Sequence, residues 1–60
     1  MGIKDAIKLS PGDVVIARVD GQEIEAEIGG IDKVHSSSKL ITFETDQGPI
    51  EHKSILRVAP

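Results

Sequence analysis

A polar stretch in the second half of the chain carries the residue types that could do chemistry. Asp32, His35 and the serines at 36–38 supply the carboxylate, imidazole and hydroxyl groups that a hydrolytic site combines. Such a site must hold these groups rigidly in a pocket. The segment Lys33–Lys39, KVHSSSK, is typical of a loop, which positions catalytic groups poorly. We therefore predict no catalytic residues and no enzyme activity.

The two histidines raise the question of a metal site. His35 and His52 could each offer a ring nitrogen, but a zinc site uses at least three protein ligands, and the sequence offers no clear third. The chain also has no cysteine. We predict no metal and no cofactor, with both histidines on the surface in loops or at strand ends.

Several cations lie close to the same polar stretch in sequence. Lys33 and Lys39 bound the predicted loop, Lys53 follows His52, and Arg57 is close behind. These side chains could form a rim that contacts phosphates, or they could be solvated surface charges, which is the ordinary state of lysine. The formal net charge of -3 is not typical of a duplex-DNA binder.

A stripe of three glutamates offers a different surface. Glu23, Glu25 and Glu27 alternate with apolar residues, so in a β-strand they share one face. That face is either a solvated side of a sheet or a docking surface for a basic partner. A non-catalytic protein-interaction module is therefore the alternative to a module that binds nucleic acid.

The stretch 12–32, GDVVIARVDGQEIEAEIGGID, must position all of these residues. Its pattern predicts a long β-hairpin with arms 13–19 and 22–32 around the turn Asp20-Gly21, because Asp-Gly suits a type I′ turn. The first arm is apolar on both faces, which indicates a strand covered on both sides, as in a small barrel. Gly29-Gly30 predicts a bulge or sharp bend in the second arm.

The rest of the chain predicts one helix and three more strands. Apolar spacings of three and four residues indicate a short amphipathic helix within 1–10, which docks by Ile3, Ala6 and Ile7. Phe43, the only aromatic residue, is predicted to fill the core, with stacking on a base as the alternative. The further predicted elements are strand 40–46, turn 47–48, strand 49–53, a helical turn at 54–55 and strand 56–59.

Sixty residues form a single domain, with the helix and turn at 1–10 and the strands at 12–60. A chain this short, with no disulfide, has little stability of its own, and oligomerisation is a common remedy. No run is apolar and long enough for a signal peptide or a membrane span, so we expect no membrane association. The absence of cysteine fits a cytoplasmic protein.

The N-terminal helix and the hairpin together resemble the first motif of the Sm and Sm-like family. That motif has a Gly-x-x-Val opening, a strand, an Asp-Gly or Asn-Gly turn, a second strand and a Gly-apolar-Asp ending. Here the corresponding positions are Gly12, Val15, Asp20-Gly21 and 30–32. The end of the chain, EHKSILRVAP, is similar to the ending of bacterial Hfq, Tyr-Lys-His-Ala-Ile-Ser-Thr-Val-Val-Pro.

The resemblance implies a strongly bent, five-stranded antiparallel barrel of the SH3-like or Sm-like kind. It also implies a cyclic homo-oligomer that forms through strands 49–53 and 56–59 and binds single-stranded RNA. The loop lacks the family's asparagine and its stacking aromatic, and the second motif's Arg-Gly is absent. The implied RNA-binding residues are Asp32, Lys33, His35, Ser36, Ser37, Lys39, His52 and Lys53.

Two weaker likenesses bear on the alternative function. The same span resembles Rof, an acidic Sm-like protein that contacts the basic surface of the terminator Rho, and more distantly the C-terminal domain of RimP. The likeness to Rof implies that Glu23, Glu25 and Glu27 bind a basic protein partner.

Overall fold

The computed structural model describes residues 1–60 and is mainly β. It contains one short helix and five antiparallel strands, with a 3-10 turn between the last two. The elements are α1 (Ile3–Ala6), β1 (Val14–Val19), β2 (Gln22–His35), β3 (Leu40–Thr45), β4 (Ile50–Glu51), the 3-10 turn His52–Ser54 and β5 (Ile55–Val58).

The five strands form one sheet in the order β4-β3-β2-β1-β5. β4 and β5 are therefore the two outer strands, and they do not pair with each other, so the sheet is open. Only the 3-10 turn His52–Ser54 separates these strands along the chain, which brings the two ends of the sheet near each other. The predicted helix followed by antiparallel strands is confirmed.

The central hairpin has the predicted turn. Asp20 and Gly21 have positive φ values of 51° and 79°, as a type I′ turn requires. Val19 pairs with Gln22 across this turn. A two-residue loop of this type fixes the register of the strands, so the buried sides of β1 and β2 face the same core.

β1 is covered on one face and partly exposed on the other. Val15 and Ala17 have no exposed surface, whereas Val14 on the outer face is 36% exposed and Ile16 is half-buried. The prediction that β1 is covered on both sides is therefore wrong. Its outer face lies in an open sheet, and no further layer packs on it.

β2 is the longest strand because it pairs with two partners in succession. Residues 22–27 pair with β1, and residues 28–35 pair with β3. The register shifts at Gly29 and again at Asp32, so each is the extra residue of a bulge. The irregularity predicted at Gly29-Gly30 is confirmed. The predicted loop 33–39 is too long, since its first three residues belong to the strand.

The core lies on the inner face of the sheet. Phe43 is 1% exposed, which confirms its predicted place in the core. The other buried apolar side chains are Ala6, Val15, Ala17, Ala26, Ile28, Ile41, Ile50 and Ile55. These residues come from α1 and from all five strands, so one small core joins every element except the 3-10 turn.

The N-terminal helix is shorter than the pattern 1–10 predicts. It ends after Ala6, and the next two residues continue in tighter turns: Lys8 N–H donates to Asp5, and Leu9 N–H donates to Ala6. Ala6 is fully buried, whereas Ile7 is 62% exposed. The prediction that Ile7 docks is wrong, because the short helix packs on the core through Ala6 and leaves Ile7, its C-cap residue, on the solvent side.

The C-terminal elements differ in their boundaries from the prediction. β4 has two residues instead of five, and the helical turn begins at His52, two residues earlier than expected. β5 correspondingly begins at Ile55. His52 belongs to the 3-10 turn and not to the strand. Its side chain is 5% exposed and contacts the backbone carbonyls of Met1 and Lys39.

Candidate nucleic-acid interface

The buried side chain of His52 lies at the centre of the candidate interface. Its Nδ1 lies 3.0 Å from the carbonyl oxygen of Met1, and its Nε2 lies 3.3 Å from the carbonyl oxygen of Lys39. A neutral imidazole carries a single N–H, so its tautomer decides which carbonyl accepts the hydrogen bond. The predicted surface position of His52 is wrong, and its ring is not free to contact a ligand.

The same contact joins two segments that are distant in sequence. Lys39 ends the loop after β2, and Lys53 follows His52 in the 3-10 turn; both lysine side chains are exposed. Lys39 has a positive φ of 52°, so the backbone turns sharply where its carbonyl reaches the His52 ring. The structure thus brings the backbone of the loop at Lys39 next to His52 in the 3-10 turn.

The other predicted contacts lie at the end of β2 and in the shortened loop 36–39. Lys33 is exposed and pairs with Thr42, which also pairs with Glu51 on β4. His35 is half-buried and pairs with Leu40. The hydroxyl-bearing residues Ser36, Ser37 and Ser38 are all exposed.

Asp32 completes the predicted set, and it is an exposed bulge residue rather than part of a loop. All the predicted RNA contacts apart from His52 therefore have accessible surface. Phe43 cannot stack on a base because it is buried in the core. His35 is then the one aromatic-type ring with exposed area, since the other histidine is buried.

The glutamate stripe is not uniform. Glu23 Oε2 lies 3.3 Å from Nη2 of Arg18, and its Oε1 lies 3.2 Å from Nη2 of Arg57. One carboxylate is thus shared by two guanidinium groups, one on β1 and one on β5. Glu23 on β2 thus has cationic partners on two other strands, so it is less available to an external basic partner than the other two glutamates.

Glu25 and Glu27 are exposed and form no ion pair. Asp46 lies beside them, because its Oδ1 accepts a 2.8 Å hydrogen bond from the backbone N–H of Glu27. Their partners on β1 are Ile16 and the partly exposed Val14. The acidic surface thus consists of Glu25, Glu27 and Asp46, next to apolar side chains on the outer face of the sheet.

Sequence reasoning missed the role of Arg18 although a signal for it exists. A two-residue turn at Asp20-Gly21 places Arg18 directly opposite Glu23, so their pairing follows from the hairpin register. Arg57 and Asp46 gave no comparable signal, since they are 34 and 19 residues away from the groups they contact.

The surface of the protein has no pocket. No three of its His, Asp and Glu side chains are grouped closely enough to hold a metal ion. None of its helical segments has the length and apolar character needed to cross a membrane. Comparison with protein-family models, with curated proteins and with solved structures gives no match to this chain.

Proposed function

We propose that this protein is a non-catalytic, Sm-like barrel module that binds single-stranded RNA and assembles into a ring. The observation that carries the proposal is the 3.3 Å contact between the His52 ring and the carbonyl of Lys39. This contact brings the backbone of Lys39 next to His52, the residue before Lys53, and both lysines are exposed. Phosphate contacts by lysine supply much of the affinity for a nucleic acid.

The chemistry of this surface suits a flexible strand better than a duplex. The exposed hydroxyls of Ser36 and Ser37 can hydrogen-bond to phosphate or ribose, and His35 offers a partly exposed ring against which one base can stack. With a single such ring per chain, each subunit would engage few bases. Binding would then rely on phosphate contacts and on several subunits acting together.

The ring is part of the same proposal. β4 and β5 are both edge strands, and β5 carries Leu56 and Val58 with 40% and 52% of their surface exposed. Exposed apolar edges tend to be paired or covered in native proteins. Pairing β4 of one subunit with β5 of the next would satisfy both edges and repeat around a rotation axis.

The RNA proposal is tested by removing two of the lysines. Lys33→Ala/Lys39→Ala should weaken the binding of a fluorescent oligouridylate and make its salt dependence shallower by about 1.4 in logarithmic slope, at about 0.7 per lost phosphate contact. Lys4→Ala/Lys8→Ala is the matched control, because it removes the same charge from exposed residues of the N-terminal segment. Equal losses in both double variants would show that the surface of 33–39 plays no special part.

A second candidate function, the binding of a basic protein segment, has its own supporting observation. Glu25, Glu27 and Asp46 are exposed carboxylates with no cation paired to them, and they adjoin the apolar residues Val14 and Ile16. An acidic surface with an apolar margin suits a lysine-rich amphipathic segment. Of the stripe Glu23, Glu25 and Glu27, only the last two keep this proposed role.

The second candidate is tested with an amphipathic lysine-rich peptide as the probe. Glu25→Gln/Glu27→Gln should weaken its binding several-fold, whereas the charge-matched control Asp5→Asn/Asp20→Asn should not, since its residues are exposed elsewhere. If Glu25→Gln/Glu27→Gln binds the peptide as tightly as the control variant does, the acidic face of β2 is only a solvated surface.

A further inference from the structure

The second half of β2 is an open edge in the middle of the chain. Pairing with β1 stops at Glu27, and Gly12 and Asp13 extend the backbone hydrogen bonding only to Ile28. From Gly29 to His35 the strand bonds to β3 on one side, and no element bonds to its other side. Seven residues of strand edge are therefore unpaired.

The bulge at Asp32 gives this edge an unusual arrangement of side chains. Ile31 pairs with Phe43, and Val34 pairs with Ile41, so both lie on the face of the sheet that carries the core. In a regular strand, residues three apart point to opposite faces. The extra residue at Asp32 restores them to the same face, yet they are 54% and 59% exposed.

The sequence of this segment, Ile31-Asp32-Lys33-Val34, is complementary to itself when it is read in the opposite direction. We propose that the edge 29–35 binds the same edge of a second copy of this chain, as an antiparallel pair about a twofold axis. Ile31 of each copy then lies opposite Val34 of the other, and Asp32 lies opposite Lys33. Apolar and opposite-charge cross-strand pairs both stabilise a sheet.

The bulge makes this register possible. Residues that lie opposite each other in an antiparallel pair point to the same face of the sheet, so Ile31 and Val34 must share a face. In a regular strand, residues three apart point to opposite faces. The extra residue at Asp32 brings Ile31 and Val34 to the same face. The pair would join two sheets side by side and would cover the exposed apolar residues that flank each core.

Charge selects a second copy over other occupants. The edge carries one acid and one base, so a uniformly basic or acidic strand would meet one unfavourable charge. The pairing uses neither β4 nor β5. It therefore does not depend on the ring. Because Asp32, Lys33 and His35 are also among the proposed RNA contacts, RNA and a second copy would compete for this edge.

Charge exchange tests this pairing directly, with sedimentation equilibrium in the absence of RNA as the measurement. Asp32→Lys and Lys33→Asp each place like charges opposite each other twice, so each should reduce the self-association constant about tenfold or more. An equimolar mixture of the two variants should associate as the wild type does, because every pair is again opposite in charge. The double variant Asp32→Lys/Lys33→Asp should also associate normally.

Asp5→Lys and Lys8→Asp are the matched controls, since they change the net charge equally at exposed residues outside this edge. They should leave the association constant unchanged. A wild type that stays monomeric at about millimolar concentration, where weak interfaces still associate, would overturn the proposal. So would single variants that associate as the wild type does, or a mixture that associates no better than its components.

Cross-linking gives a second readout of the register. The chain has no cysteine, so a mixture of Ile31→Cys and Val34→Cys has only these two thiols. Directly opposed residues of antiparallel strands are close enough for a disulfide. The mixture should form the mixed disulfide faster than a mixture of Ile31→Cys with Ile7→Cys, and equal rates would overturn the register.

Discussion

Replacement of Gly21 by valine isolates the backbone requirement of the central turn. Gly21 has a φ of +79°, and a Cβ atom built on it would meet no heavy atom within 4 Å. A Cβ atom at this position therefore meets open space. We expect the effect of Gly21→Val to arise from the backbone, because an L-residue, and a β-branched one above all, disfavours positive φ.

The loss of stability follows from the cost of a left-handed backbone conformation. An L-residue in the left-handed region costs about 1–2 kcal/mol, and β-branching adds to that, so we expect a loss of about 2 kcal/mol. A domain of this length has a total stability of about 3–9 kcal/mol. Since 1 kcal/mol shifts the Tm of a small domain by about 4–8 °C, the Tm should fall by about 8–16 °C.

Thermal unfolding followed by circular dichroism measures this shift, and two controls assign its cause. Gly21→Asn should lose much less, because asparagine tolerates positive φ. A chain of this length is accessible to chemical synthesis, so Gly21 can also be replaced by D-alanine, which favours positive φ and should unfold at or above the wild-type Tm. If L-valine and D-alanine give the same Tm, the conformation of the turn does not govern stability.

Three further predictions concern the edges, the buried histidine and the ion pairs. Val58→Pro should release monomers from any assembly through β5. Ala59 N–H bonds to Val14 within the chain, so the N–H of Val58 points outward, and proline removes it. Ala59→Pro is the control, since it should lower the Tm of the subunit instead, and equal effects of the two variants on sedimentation would contradict the edge assignment. His52→Ala should lower the free energy of unfolding in urea by about 2 kcal/mol or more, because it leaves a cavity and removes the ring that bonds to Met1 or Lys39. An unfolding midpoint equal to that of the wild type would show that this contact does not stabilise the fold. Glu23→Gln should lower the free energy of unfolding by less than about 1 kcal/mol, because its partners Arg18 and Arg57 are exposed. A larger loss would show that Glu23 stabilises the contact between its three strands more strongly than a surface ion pair does.

The parts of the fold that depend on local chemistry could be predicted from the sequence. Asp20-Gly21 correctly predicts a tight turn, because few residue pairs tolerate two successive positive φ values. The size of Phe43 correctly predicts its place in the core, and Gly29 predicts an irregularity because glycine weakens a strand.

The parts that depend on distant partners could not be predicted. Lys33 and His35 have the composition of a loop, and they are strand residues only because β3 pairs with them. His52 is buried because carbonyl groups 51 and 13 residues away lie next to its ring. Arg57, which neutralises Glu23, is 34 residues away. Nothing in the local pattern around these residues specifies such contacts.

The affinity of the wild-type protein for a fluorescent single-stranded oligouridylate is the direct test of the proposed RNA binding. Fluorescence anisotropy should show binding at about 50 mM salt, and the logarithm of the association constant should fall linearly with the logarithm of salt concentration. With Lys33, Lys39 and Lys53 each contacting a phosphate, the slope should be about -2 for each subunit engaged. Absence of binding at this low salt concentration would refute the proposed RNA binding and leave the acidic face of β2 as the better-supported interaction surface.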